Sequence, residues 1–375
     1  MPQEIHEPRT PEELASHLAG SASAGRSILV GGGFSKNRMG GPPAAADVRV
    51  TTAGLTRVLQ YKPRDLTISV EAGIRWAELT RVLAENQQAV PLDPPFAGAA
   101  TVGGVLAANT AGPRRRLYGT ARDLVIGMTF ATLEGKLVRT GGMVVKNVAG
   151  LDMGKLLIGS FGTLAAIATV NFKIVPLPPE SRHFLLAFHS LDETDAVRRR
   201  ILAGVLQPAA LDLLNPQAAA WFGLEGWVLS IEVGGNAAVI GRYQRELGAL
   251  GPLVHAPEGL AGQLREATPR FLADHPEGLV MRVTSTLAEV AAVLRHASGP
   301  AISRAGSGVT YLYCPNGNPA EIPVGKVILE CSPEHQTTEL VLWPEPGPDL
   351  ELMKRVKRMF DPRELLNRGR LFSRI

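Results

Sequence analysis

The chain is short of cysteine, of aromatic residues and of long apolar runs, and each shortage excludes something. Cys314 and Cys331 are the whole cysteine content of 375 residues, and they form no CxxC pair. A thiolate metal cluster is therefore excluded, a disulfide framework is not expected, and a reducing cytoplasm is the expected compartment. No stretch of about 18 residues runs free of charges and breakers, so no membrane-spanning helix is expected and any membrane contact would come through partners. The opening Met1-Pro2-Gln3-Glu4-Ile5-His6 lacks the basic-then-apolar pattern of a signal peptide. Aromatics are 5% of the residues and do not interleave with the short basic clusters Arg114-Arg115-Arg116, Arg198-Arg199-Arg200 and Lys354 to Arg358. Each cluster reads as solvated surface, and despite a net charge of +4 no nucleic-acid partner is expected. His183, His189, His255, His275, His296 and His335 show no ligand spacing, so no metal site is expected and no catalytic base is named.

What is present is a globular, enzyme-like composition, 45% hydrophobic and 20% charged, in a chain long enough for two domains. Periodicity predicts a helix over 12–18, strands over 27–30, 48–50, 55–61 and 66–70, a helix over 76–85, and a hairpin of 124–133 with 136–140 around Glu134-Gly135. The strand 170–175 ends in Pro176-Leu177-Pro178-Pro179, a good place for a boundary. Beyond it strands (184–188, 228–233, 279–283) alternate with helices (195–205, 240–250, 287–296) in an α+β pattern without internal repeat. A basic amphipathic helix, 349–360, stops at Asp361-Pro362.

Three segments carry chemistry. Val30-Gly31-Gly32-Gly33-Phe34-Ser35-Lys36 follows a strand; three glycines free the backbone for positive φ and inward N–H groups, an anion nest suited to a diphosphate, although a Gly run after a strand also reads as a tight turn. It is not a GxGxxG fingerprint, because Lys36 stands where the third glycine would be. Pro94 to Gly112 is built of small side chains that let backbone approach a flat, bulky ligand. Close helix packing is the other reading of that segment, with Pro94-Pro95 and the paired glycines Gly103-Gly104 standing against a helix. The third comprises Val145-Lys146-Asn147-Val148-Ala149-Gly150-Leu151-Asp152 and Gly159-Ser160-Phe161-Gly162-Thr163-Leu164.

Taken in order, with Val70-Glu71-Ala72-Gly73, Tyr118-Gly119 and Arg122-Asp123, these segments resemble the FAD-binding domain shared by vanillyl-alcohol oxidase and p-cresol methylhydroxylase. The resemblance covers roughly residues 5 to 178 and continues in Asn367-Arg368-Gly369-Arg370, similar to a terminal Asn-Pro-Gly-Arg in which Arg368 replaces proline. Within that family the combination is similar to the glycolate oxidase and D-lactate dehydrogenase type, and most of all to the shorter E-type subunit that works with an iron–sulfur subunit and a second flavin subunit.

The resemblance implies an α+β fold: a two-part FAD-binding domain over 1–178, a smaller α+β cap domain over 179–345, and a C-terminal segment, 346–375, returning to the first. It implies FAD with its diphosphate on Gly31, Gly32, Gly33, Phe34, Ser35 and Lys36 and on Thr101, Val102, Gly103 and Gly104. Pro94, Ala107, Asn109 and Gly112 would line the flavin, Gly162, Thr163 and Ile167 would face the cofactor, and Asn367 would close the site. Phe34 stands where members with covalent flavin carry histidine, so FAD is expected to be non-covalent. The His-x-x-Asp-Gly-Asn-x-His stretch of the larger catalytic relatives has no counterpart; Cys314-Pro315-Asn316-Gly317-Asn318 is the nearest echo. The implied activity is oxidation of a small 2-hydroxy acid, whose carboxylate would want an arginine, with Arg282 and Arg304 as candidates. Tyr311 and Tyr313 alternate in a predicted strand, with core packing as their default role.

Overall fold

Thr10 starts the first helix: its hydroxyl accepts from the Glu13 N–H at 3.1 Å and Pro11 follows at the first helical position. The helix runs Pro11–Ser23, five residues past the predicted end, and buries Leu14, Ala15 and Leu18. The computed structural model describes residues 4–41, 43–144, 152–333, 341–372 and 375. They divide into two units, one of Met1–Ala111, Thr120–Leu177 and Glu345–Ile375, the other of Gly112–Gly119 and Pro178–Pro344.

The first unit holds a three-stranded parallel sheet in the order Glu4–His6, Val48–Thr51, Ile28–Gly31. Its five-stranded antiparallel sheet is ordered Val58–Lys62, Thr67–Glu71, Ala166–Lys173, Val125–Ala131, Leu137–Gly141. The hairpin predicted around Glu134-Gly135 is the last pair, with Gly135 at φ +79°. Leu14, Leu18, Ile28, Val30, Val48, Val50, Ala166 and Leu366 form one apolar core, so the helix, the parallel sheet and the C-terminal segment share it. Helix Asp349–Phe360 lies where periodicity predicts it.

The glycine pair does not prevent a helix. Val102–Ala107 is helical, capped by the Thr101 hydroxyl, which accepts from the Gly104 N–H at 3.3 Å. Gly103 costs helix propensity but lets the turn press on a neighbouring strand end: its N–H donates to the Ala72 carbonyl at 2.7 Å, and a Cβ there would sit 2.9 Å from the Ala72 Cβ. The expectation that these glycines break a helix is thus corrected; close packing outweighs propensity.

The second unit packs helices, among them Leu191–Ala203, Ala237–Gly248 and Val290–Arg295, on one eight-stranded sheet in the order Leu253–Val254, Glu180–Phe188, Trp227–Gly235, Ala210–Leu214, Ala301–Arg304, Val309–Cys314, Leu279–Thr284, Lys326–Cys331. Strand alternation sends Leu186, Leu213, Leu229, Ile231, Met281 and Leu312 into an apolar core. The residues between them, including His183, Glu232, Asp212, Arg304, Tyr311 and Arg282, occupy the opposite face.

Each basic cluster read as solvated surface places one member inside. Arg198 is wholly buried, donating to Asp195 and to the carbonyls of Ala305 and Leu287. Lys357 is 3% exposed and donates to Asp361, Thr163 O and Leu366 O, each within 2.8 Å. Arg114 is half-buried against Glu232 at 2.6 Å. Asp195 and Asp361 stand only three and four positions from their cations, but the carbonyls of Ala305, Leu287 and Thr163 that cover Arg198 and Lys357, and the Glu232 carboxylate beside Arg114, come from distant segments and are brought there by folding.

Candidate functional site

The first unit contains an open cleft. Gly31, Gly32, Gly33, Phe34, Ser35 and Lys36 line it together with Thr101, Gly103, Gly104, Ala107, Gly162, Ile167 and Asn367. These thirteen site residues named from sequence therefore meet around one space, although they come from segments more than 300 positions apart. Pro94, Val102, Asn109, Gly112 and Thr163 are not part of the lining. Val102 is buried in the core, Thr163 donates its hydroxyl to Ser160 O, Asn109 is exposed with φ +49°, and Gly112 falls in the second unit. Residues 145–150, and Leu151 after them, lie outside the described residues.

The glycine run works differently from the sequence expectation. Gly31, Gly32 and Gly33 do not take positive φ; Phe34 does, at +50°. The glycines are required by close approach, since a Cβ on Gly32 would overlap the Thr101 hydroxyl and one on Gly33 the Ala99 carbonyl. The run is thereby seated on the segment before the Val102–Ala107 helix. Thr51 and Thr52 hold it from the other side, donating to Gly32 O at 3.2 Å and Gly31 O at 3.4 Å. The Phe34 ring lies 3.7 Å under the Arg49 guanidinium.

Asn367 closes the cleft from the C-terminal segment. Its Oδ1 accepts from Val30 N–H at 2.7 Å, and its Nδ2 donates to Val30 O at 3.0 Å and Phe161 O at 2.8 Å. Gly162, at φ +70°, makes room: a Cβ there would lie 2.6 Å from the Asn367 Nδ2.

Sequence reasoning missed Arg370 as a lining residue. Asn367-Arg368-Gly369-Arg370 contains it, but only burial shows its setting. The side chain is 6% exposed, and its guanidinium donates to the carbonyls of Lys36 (3.2 Å), Asn37 (3.3 Å), Met39 (2.9 Å) and Gly41 (3.0 Å) while lying 5.0 Å from the Phe161 ring. Burial pushes its pKa down to about 10, still far above neutral pH. Lys36, also buried, stands 6.0 Å from the Phe96 ring. Among the described residues no Asp or Glu lines the cleft. Its chemistry is that of an anion site with apolar walls.

In the second unit the arginines proposed for a carboxylate clamp are already engaged. Arg304 is buried and pairs with Asp212 at 2.8 Å, and Arg282 pairs with Glu330 at 2.6 Å. Burial pushes the Tyr311 hydroxyl well above its ordinary range and that of Tyr313 up to about 12, so neither is an anionic base near neutral pH. Tyr313 packs on Trp221 and Phe271 and bonds Thr268 at 3.0 Å, the core role expected of it. His183 Nδ1 lies 3.3 Å from the Ser230 hydroxyl and its Nε2 is 3.9 Å from Glu232; burial holds its pKa below the usual histidine value. Among the described residues no group of three or more His, Cys, Asp and Glu could hold a metal ion, and no helix is long and apolar enough to cross a membrane.

Residues 2–141 match the family described as FAD binding domain. The chain is 30% identical over 216 residues to glycolate oxidase subunit GlcD of Bacillus subtilis, covering 57% of this chain and 46% of that protein. It is 32% identical over 228 residues to glycolate oxidase subunit GlcE of Escherichia coli, covering 59% of this chain and 63% of that protein. The match to a D-lactate dehydrogenase of Archaeoglobus fulgidus is weaker, 25%, but spans 99% of this chain and 91% of the relative. The chain thus matches about half to two thirds of the length of the glycolate oxidase subunits. Among solved structures, alkyldihydroxyacetonephosphate synthase superposes with a TM-score of 0.72 over 97% of this chain and 75% of its own, at 18% identity, which is a likeness of fold. The fold is accordingly the α+β, p-cresol-methylhydroxylase-type FAD-binding fold expected from the sequence motifs.

Proposed function

We propose that this chain is the FAD-binding subunit of a complex that oxidises a small 2-hydroxy acid, glycolate foremost, to the corresponding oxo acid. The observation that carries the reading is the cleft: glycine backbone on one wall, two buried cations, apolar side chains and, among the described residues, no lining carboxylate. That composition fits a ligand joining a diphosphate to a flat ring system. Gly31 to Lys36 and Thr101 to Gly104 would hold the diphosphate, and Gly162, Ile167 and Asn367 would close on the remainder. Bound FAD would supply the hydride acceptor; this chain's residues would hold and orient it.

The second unit supports a role inside a complex. Arg114, Arg282 and Arg304 each pair with a carboxylate of their own unit, and the buried tyrosines keep their protons. A substrate carboxylate clamp and a base are thus better sought on partner subunits, a second flavin subunit and an iron–sulfur subunit. On this reading the protein works in the cytoplasm, reaches a membrane only through those partners, and binds FAD without a covalent link. The rival is an autonomous D-lactate-type dehydrogenase, favoured by the nearly full-length match to the archaeal D-lactate dehydrogenase. The test is dye reduction with glycolate and D-lactate by the FAD-loaded chain alone and with its co-purifying partners. Little turnover alone and a large gain with partners is expected, because a positioned base contributes about 10²- to 10⁴-fold. Turnover of the lone chain at roughly 10 s⁻¹ would establish the rival.

A further inference from the structure

The cleft contains a buried cation that, among the described residues, no acidic side chain pairs. Among the described residues Arg370 makes no ion pair: its two terminal nitrogens are committed to four main-chain carbonyls, of Lys36, Asn37, Met39 and Gly41. Carbonyl dipoles solvate a guanidinium only in part, and the pKa drawn down by burial alone reports the missing counter-charge. Three buried cations outside the cleft differ in this respect. Arg198 has Asp195, Arg304 has Asp212 and Lys357 has Asp361. Arg370 alone among these four lines the cleft, directly beside the turn that follows the glycine run.

Resting on the FAD reading, we propose that Arg370 is the fixed counter-charge for the diphosphate of the bound dinucleotide. The four carbonyls hold the guanidinium rigid and tie the 36–41 turn to the C-terminal segment, while its charge is left for the ligand to neutralise. Nε–H, which makes none of those bonds, is its remaining donor. The diphosphate site is therefore assembled from both ends of the chain: the N-terminal glycine run gives backbone N–H groups and the C-terminal segment gives the charge.

The test compares wild type with Arg370→Met and Arg370→Lys, using FAD and ADP as probes, with salt dependence of Kd, thermal melting and the midpoint potential of bound flavin as readouts. Arg370→Met is expected to weaken FAD and ADP about tenfold or more, to make the salt dependence shallower by about one charge, and to leave the flavin potential unmoved. Arg370→Lys, which keeps charge but loses the planar fork, is expected within about threefold of wild type for both probes. An Arg370→Met variant that binds ADP as wild type overturns the proposal. So does a shifted flavin potential with unchanged ADP binding, which would put the charge at the ring, or an Arg370→Lys variant as impaired as Arg370→Met, which would make the residue a tie for the turn only. If the wild-type chain binds neither FAD nor ADP, the FAD reading itself fails; if it binds both and the variants match it, only the role of Arg370 fails.

Discussion

The Asn367 carboxamide holds both main-chain groups of Val30, accepting from its N–H at 2.7 Å and donating to its carbonyl at 3.0 Å, across 337 positions of sequence. The last residue before the glycine run is thus fixed by a side chain near the other end of the chain. Replacing Asn367 with Ala leaves two buried main-chain groups of Val30 and the Phe161 carbonyl without their partner. A loss of about 2–4 kcal/mol in unfolding free energy is expected, with weaker FAD binding in what remains folded. Denaturant melts of wild type and variant measure it, and coincident midpoints would remove the assigned role.

Adjacent glycines in the Val102–Ala107 helix should behave oppositely. A side chain at Gly103 meets Ala72, whereas one at Gly104 meets only the Thr101 hydroxyl, at 3.2 Å, and otherwise open space. Gly103→Val should therefore fold poorly, at a cost of about 1–3 kcal/mol. Gly104→Val should fold and lose FAD at least about tenfold, because both glycines line the cleft but only Gly104 leaves its Cβ direction open. Flavin content and melting temperature separate the two, and a Gly104→Val protein that stays fully yellow would count against the cleft as the FAD site.

Phe34 has a ring with no nucleophilic atom, stacked under Arg49. Acid or heat precipitation of the yellow protein should release all flavin to the supernatant as FAD. Flavin retained in the washed pellet would reveal a covalent bond and defeat the expectation.

His183 gives the second unit an acid sensitivity of definite sign. Burial lowers its folded pKa below the unfolded value of about 6.5, and Glu232 opposes that shift only in part. The neutral ring is favoured in the fold, so the unfolded chain binds the proton first as pH falls. Stability is unaffected above about pH 6.5 and declines as pH drops from there toward the folded pKa. Melting temperatures between pH 8 and 5.5 should fall more steeply for wild type than for His183→Gln. Parallel curves would show that other groups dominate acid unfolding.

Much of this molecule was legible in one dimension. Strand-and-turn periodicity placed the hairpin 125–131 with 137–141 and the helix 349–360, because side-chain alternation and turn residues act over a few neighbours. The ordered motifs from Gly31 to Gly162, with Asn367, identified the FAD-binding fold and most of the cleft lining, because backbone approach demands small residues wherever it occurs. Tertiary structure decided what depends on partners distant in sequence. It set the glycines of the 31–33 run against Thr101 and Ala99 instead of in left-handed turns, made a helix of a glycine pair by pressing it on Ala72, and buried Arg198 and Lys357 against the distant carbonyls of Ala305, Leu287 and Thr163. It also left the Arg370 guanidinium inside the cleft with four main-chain carbonyls around it and, among the described residues, no ion-pair partner. Local sequence fixes conformational preference and residue size, whereas the burial and pairing of a charge are properties of the folded neighbourhood.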